Sequence, residues 1–308
     1  MAVTHHIGLE IAQNAFKLVE IRTLDGFPAI LRADLYETTR NYGSSLLHEI
    51  PFDYDLAKSF IHELTDLLQR RMVYSGAVSI SLPALVPVIA TIPVDAGLTV
   101  DEKREHFLWE CRTLNALDPD LDLHVMPLLL DSRDGVETHL LVSLPKATLQ
   151  FLKSTFLHLT FSVHSIDIDH FILERAVRKM HPQATEAAIA VFGIFEEYCL
   201  LGVYHESAYR GFRSTAVSYK ENYVKQVLRL LESVLAGEES LQIDQIFLYG
   251  QCATKSFQDT LRSVVRVPVT VFNPFSRFSF LTESDASAAV KHPKHTFDVA
   301  VCAAWKDE

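Results

Sequence analysis

Glycine is scarce in this chain, and scarcest where it would carry chemistry. Only 11 of 308 residues are glycine, with 12 prolines and 4 cysteines. That composition excludes a collagen-like or low-complexity chain. No Gly-rich run leads into a Lys-Ser or Lys-Thr pair, so a Walker-type phosphate loop is missing, and Tyr42-Gly43-Ser44-Ser45 reads as an ordinary loop. The Gly-x-Ser-x-Gly elbow of a serine nucleophile is missing too. Cys111, Cys199, Cys252 and Cys302 are scattered through apolar runs, which suits reduced, buried thiols of a cytoplasmic protein rather than a disulfide framework or a metal site. Basic residues fall short as well: 28 Lys plus Arg against 39 Asp plus Glu leave a net charge of -11. A nucleic-acid binder needs the reverse balance to displace counterions. No apolar run nears the roughly 20 residues of a membrane span, and the start, Met-Ala-Val-Thr-His-His, lacks the form of a secretory signal.

What is present is a duplication. Hydrophobic residues make up 48% of the chain, enough for about two domains with their own cores. Ile7 to Ile21 and Ile189 to Val203 each read as apolar strand, tight polar turn, apolar strand. Adding 182 carries Glu10, Ala12 and Phe16 onto Phe192, Ile194 and Tyr198. A third strand follows each hairpin (Phe27 to Tyr36, Ser207 to Thr215), then an amphipathic helix and a short buried strand (Ala77 to Leu82, Gln245 to Tyr249). Between the copies, residues 84–159 read as strand, helix, strand, strand, helix. Thr99-Val-Asp-Glu102 supplies a capping box for the first of those helices, and Asp131-Ser-Arg-Asp-Gly135 supplies a hairpin turn with Gly135 at positive φ. The expected fold class is α/β, with an inserted βαββα subdomain. The expected division is a first half over 1–180, containing the insertion, and a second half over 181–308.

Further motifs narrow the type. Ile7-Gly8-Leu9-Glu10-Ile11 with Lys17-Leu18-Val19-Glu20, Ser81-Leu82-Pro83, Thr91-Ile92-Pro93, Ser165-Ile166-Asp167 before Leu173-Glu174-Arg175-Ala176, Leu248-Tyr249-Gly250, and Asn273-Pro274-Phe275 occur in that order. Together they resemble the type IV pilus assembly PilM family of the actin-like ATPase superfamily, near FtsA and the cytoplasmic domain of GspL. The resemblance implies a doubled ribonuclease H-like body with one phosphate hairpin from each half and ATP with Mg²⁺ between them. An acid at the strand end would face the hard cation, and a Gly two positions on would admit phosphate to backbone N–H groups.

In this sequence the nucleotide site looks degenerate. Glu10 keeps the acid, but Ala12 replaces the Gly, and Gln13 and Asn14 replace hydroxyls. At the offset of 182, Phe192 and Ile194 stand where the second acid and Gly would be; a shift of one would bring in Gly193 instead. Gly250 is followed by Gln251 rather than a second Gly. Remnant nucleotide contacts would be Glu10, Gln13, Asn14, Lys17, Asp167, Gly193 and Gly250. Asp167 is either a cleft residue or the cap of the helix that follows it. His158, His164 and His170 recur every six residues, a period of neither helix nor strand, and read as surface histidines rather than a metal site.

These readings set the functional expectation. No catalytic residue, metal or cofactor is expected, and the chain is a cytoplasmic scaffold at the inner membrane. The resemblance implies that it binds the N-terminal tail of a bitopic membrane protein, PilN-like, with cytoplasmic pilus motor proteins as further partners. The expected groove is formed by Ile80 and Leu82 of the core and Val86, Val88 and Ile89 of the insertion, through strand-edge hydrogen bonds and apolar pockets. The alternative is an active actin-like ATPase or related kinase that binds ATP and Mg²⁺ in the cleft.

Overall fold

The computed structural model describes all residues except 1–2, 49–53, 71, 115–116, 119, 183–185, 207, 218–222, 237–240, 281–293 and 306–308. The first half opens with β1 (Val3–Ile11), β2 (Ala15–Leu24) and β3 (Phe27–Glu37), joined antiparallel. Asp25 and Gly26 both take positive φ (49° and 82°), the turn whose twist suits a two-residue hairpin. Tyr42 to Ser45, expected as a loop, instead open a short helix, α1 (Tyr42–His48). Tyr42 stacks on Phe16 at 5.3 Å, and burying that ring fixes the local backbone. Then come α2 (Tyr54–Gln69) and β4 (Ala77–Leu82).

The inserted segment holds β5 (Val88–Asp95), α3 (Val100–Leu114), β6 (Leu123–Arg133), β7 (Val136–Pro145) and α4 (Lys146–His158). Its strands form a separate antiparallel sheet in the order β5-β7-β6. Thr99 and Glu102 make the capping box at α3: the Glu102 carboxylate accepts from the Thr99 N–H at 2.8 Å. Asp134 and Gly135 repeat the positive-φ turn between β6 and β7. The chain then returns through β8 (Ser162–Ile168) and α5 (Asp169–Met180).

The second half repeats the opening with β9 (Ile189–Ile194), β10 (Tyr198–His205), β11 (Ala208–Ala216), α6 (Tyr223–Leu235) and β12 (Gln245–Tyr249). Ser207, the expected start of the third strand, lies outside the described residues. There follow α7 (Lys255–Val264), β13 (Val269–Val271), β14 (Ser279–Phe280) and α8 (Asp298–Ala304). The sheet orders are β14-β3-β2-β1-β4-β8 and β11-β10-β9-β12-β13. The end of the chain does not stay with the second sheet, because β14 pairs with β3 and α8 packs on β1 and β2.

Strand periodicity decides what each face meets. Ile7, Leu9 and Ile11 share a core with Phe60 and Leu64 of α2. The opposite face of β1 lies under α8. A Cβ on Gly8 would sit 2.0 Å from the Ala300 carbonyl oxygen and 2.4 Å from the Ala304 nitrogen, so only glycine admits that approach. In the second sheet Ile189 and Val191 join the same core, whereas Phe192 and Ile194 turn to a separate one with Val227, Leu230 and Leu261.

A candidate cleft between the two hairpins

The duplicated hairpins meet across a cavity of about 520 Å³. Each turn closes with one backbone bond: Ala12 N–H to the Ala15 carbonyl at 2.9 Å, and Phe195 N–H to the Tyr198 carbonyl at 3.0 Å. Ladder partners agree, with Ile11 opposite Phe16 and Ile194 opposite Cys199. The repeat offset is therefore 183, not 182. Glu10 corresponds to Gly193, Ala12 to Phe195 and Ala15 to Tyr198. Phe192 and Ile194 consequently point away from the cleft, as ordinary core. Hydrogen bonding, not side-chain type, sets the register.

Glu10 lies at the end of β1, and Lys17, its ladder partner on β2, donates to Glu10 Oε1 at 2.6 Å. Gln13 Nε2 donates to Glu197 Oε2 at 3.1 Å, tying the two turns together, and Asn14 lines the same cavity. Gly193 is filled from its neighbour: a Cβ there would come 2.6 Å from Tyr249 Oη. Tyr249 is held in turn by His170, Nδ1 to Oη at 2.8 Å. Phe195 stacks on Tyr198 at 4.5 Å. Gly250 takes φ +95°, and a Cβ would meet the Ile194 carbonyl oxygen at 2.6 Å, so this turn needs glycine for itself.

Asp167 is not brought to this cleft. It pairs with Arg175 and accepts from the Ile168 N–H at 2.7 Å, in a smaller cavity lined by later turns of α5 and α8. Nor does it cap α5, whose N-cap is Ile168 without a side-chain bond. The cleft acid is Asp169, two residues on and 3% exposed. Its Oδ1 accepts from Ala84 N–H at 3.0 Å and His170 N–H at 2.6 Å. Burial, then the nearby Glu10 charge, pushes this carboxyl up to about 7 despite both N–H bonds and Lys17. Asp298, in the first turn of α8, is also 3% exposed, and burial followed by Glu10 raises it well above the usual carboxylate range. Both acids were legible in one respect only: each opens a helix.

The described lining carries six carboxylates (Glu10, Glu37, Asp169, Glu196, Glu197 and Asp298) and one lysine, Lys17. Burial holds His295, which also lines it, below the ordinary histidine range. Yet no group of three or more His, Cys, Asp or Glu is placed to hold a metal ion among the described residues. The three histidines of the six-residue repeat are not gathered either: His170 is buried on Tyr249, and His164 lines the smaller cavity.

The expected partner groove needs correction. Ile80, Leu82 and Val86 are 0% exposed and Val88 4%, and β4 is paired on both edges, so these side chains and that backbone are already used by the core. Ile89 is half-buried. Among the described residues both outer strands of the inserted sheet, β5 with Val88 and Ile89 and β6, pair with β7 alone, and β6 also exposes Met126, Leu128 and Leu129 (46%, 49% and 52%). Alternation of polar and apolar residues gave no warning of this, because β6 is apolar on both faces.

No family model matches the chain, and no curated protein matches its sequence. Solved structures do. The PilM-PilN type IV pilus biogenesis complex contains a chain 16% identical, with TM-score 0.69 and 97% of each chain covered. A Bacteroides thetaiotaomicron protein with actin-like ATPase fold and unknown function is 11% identical, with TM-score 0.52, 94% of this chain and 96% of that one covered. The cytoplasmic domain of EpsL, an inner membrane component of the Vibrio cholerae type II secretion system, is more distant, at 12% identity, TM-score 0.44 and 82% and 84% coverage. The fold is that of the actin-like ATPases.

Proposed function

We propose that this chain is a non-catalytic, PilM-like scaffold whose cleft does not hold ATP with Mg²⁺ and whose inserted subdomain docks a membrane-anchored assembly partner. The cleft lining carries the first part of the reading. A triphosphate entering it would meet six carboxylates and a single lysine, itself engaged by Glu10. The N-terminus of α5, a place where helix geometry favours an anion, already receives the helix's own Asp169. Where phosphate oxygens would need bare backbone N–H groups, the second turn presents Phe195 and Tyr198.

The partner reading is supported by likeness to a chain of the PilM-PilN type IV pilus biogenesis complex, over 97% of both chains. The partner is the N-terminal tail of a bitopic inner-membrane protein, and cytoplasmic motor proteins would engage the assembled pair. This arrangement keeps the chain at the membrane through another protein, and none of its described helices is long and apolar enough to cross a membrane. The tail would add as a strand to the β6 edge, gaining main-chain hydrogen bonds while Met126 and Leu128 receive its apolar side chains.

Two measurements test the proposal. ATP with Mg²⁺ at about 100 times a working dissociation constant would stabilise a binder by about 2.7 kcal/mol; the scaffold reading expects an unchanged melting temperature, and a clear rise would restore the ATPase alternative. Leu128→Lys should abolish capture of the partner tail while leaving the melting temperature unaltered. Undiminished capture would remove β6 from the interface.

A further inference from the structure

The described lining of the cleft holds six acidic side chains against the one lysine, and two of the acids carry an unsatisfied oxygen. Glu10 Oε2 and Asp298 Oδ2 are buried without a hydrogen-bond partner among the described residues, on residues 6% and 3% exposed. Both side chains line the cavity between the hairpins. A buried oxygen of this kind ordinarily finds a donor. Facing them is an aromatic wall of Phe195, Tyr198 and Tyr249, whose ring faces attract cations. The carboxylates are not gathered around one point, since no described group of three could hold a metal ion. The space of about 520 Å³ therefore suits an extended organic cation better than a bare ion. The cleft already contains one example of the chemistry: the Lys17 ammonium, on an alkyl stem, 2.6 Å from Glu10 Oε1.

We propose that this cleft binds a small organic cation, with ammonium or guanidinium groups donating to Asp298 and Glu10 and an alkyl chain lying along Phe195. The inference rests on the reading of the cleft as unfit for triphosphate. It deepens that reading by naming what the same walls accept. A bound cation favours ionised carboxylates, so binding expels protons and tightens as pH rises. The groups concerned are Asp169, held up to about 7 by burial and then by Glu10, and Asp298, raised by the same causes. Lys17 and the N–H groups of Ala84 and His170 oppose the shift at Asp169, while Glu37, Glu196, Glu197, Tyr198, Tyr249 and His295 face the same space.

The test is calorimetric titration of the full chain with spermidine, agmatine and a short arginine peptide, with ATP and Mg²⁺ as a separate arm, at roughly physiological ionic strength. Saturable binding of an amine or the peptide is expected, about tenfold tighter near pH 8 than near pH 6. Asp298→Asn should weaken it about tenfold. Because that buried change can unfold the chain, the exposed pair Glu196→Gln/Glu197→Gln serves as the second variant, with a loss of about threefold expected. Agmatine binding tighter than the peptide assigns the cation to a free amine; the reverse assigns it to an arginine of a partner. Absence of all three bindings, or binding indifferent to pH and to both sets of substitutions, overturns the inference alone. Saturable ATP binding overturns it together with the scaffold reading.

Discussion

Glu10 and Gly193 occupy the same station in two copies of one hairpin, and each has a parallel neighbour beside it. Ser81 stands beside Glu10, and Tyr249 beside Gly193. In the first copy a long charged side chain lies next to a small one; in the second a bare backbone lies next to a large ring. The backbone ladder is the same, because main-chain hydrogen bonds do not read side chains. The chemistry is opposite, because volume is shared across the strand pair and one partner grows where the other shrinks. A duplicated frame thus carries a charged end in one half and an apolar plug in the other.

Exchanging residues between the copies breaks the comparison most severely at Gly8. Its counterpart at the offset of 183 is Val191, fully buried in the core. Gly8→Val should cost more than about 4 kcal/mol, since its Cβ would fall on the backbone of α8; a cooperative urea transition with an unchanged midpoint would show that α8 does not press there. Asp169→Asn tests where the buried charge sits. The native carboxyl holds its proton up to about 7 against an ordinary 3.8, so the folded state binds more protons than the unfolded one between those values. Stability from this group is greatest in acid and falls as pH rises through that window, by up to about 1.4 kcal/mol per unit. Asn should remove that slope in urea midpoints measured across pH. Glu174, also raised to about 7 by burial, and His170, lowered to about 3 by burial, cancel in the difference between the two proteins.

The plug itself is probed by Gly193→Ala, expected to lose about 1–3 kcal/mol through contact with Tyr249 Oη. Combined with Tyr249→Phe, the loss should be smaller than the sum of the single losses. Strict additivity would mean the two side chains do not compete for one space. Gln13→Ala sharpens the contrast least, removing the exposed bond to Glu197 at about 0.5–1 kcal/mol in thermal unfolding.

The doubled frame was legible because strand alternation, turn residues and helical periodicity agree over each copy, and the inserted subdomain announced itself through Thr99-Glu102 and the turn read at Asp131 to Gly135, which the structure shortens to Asp134-Gly135 as β6 runs on to Arg133. The site was legible only in part. Glu10, Gln13, Asn14, Lys17 and Gly250 do line one cavity. The offset was misread by one because both turns have the same length, and apolar residues occupy both faces of β9, leaving no polar mark for register. Asp167 drew attention ahead of Asp169 for a related reason. Two acids two residues apart share a face in a strand but separate once a helix begins between them, as it does at Asp169. Of the groove residues that the resemblance implied, Ile80, Leu82, Val86 and Val88 are apolar and buried in the core, while Ile89 stays half-buried.

The contact between Gly8 and α8 also has a consequence for how the molecule is made. Residues 298–304 cover β1, so that strand stays unroofed until residues 12–297 have been made after it. Pairings of such long sequence separation slow folding. They also leave β1 dependent on a segment made long after it, so that a nascent chain halted before residue 298 would hold β1 open to solvent and to chaperones.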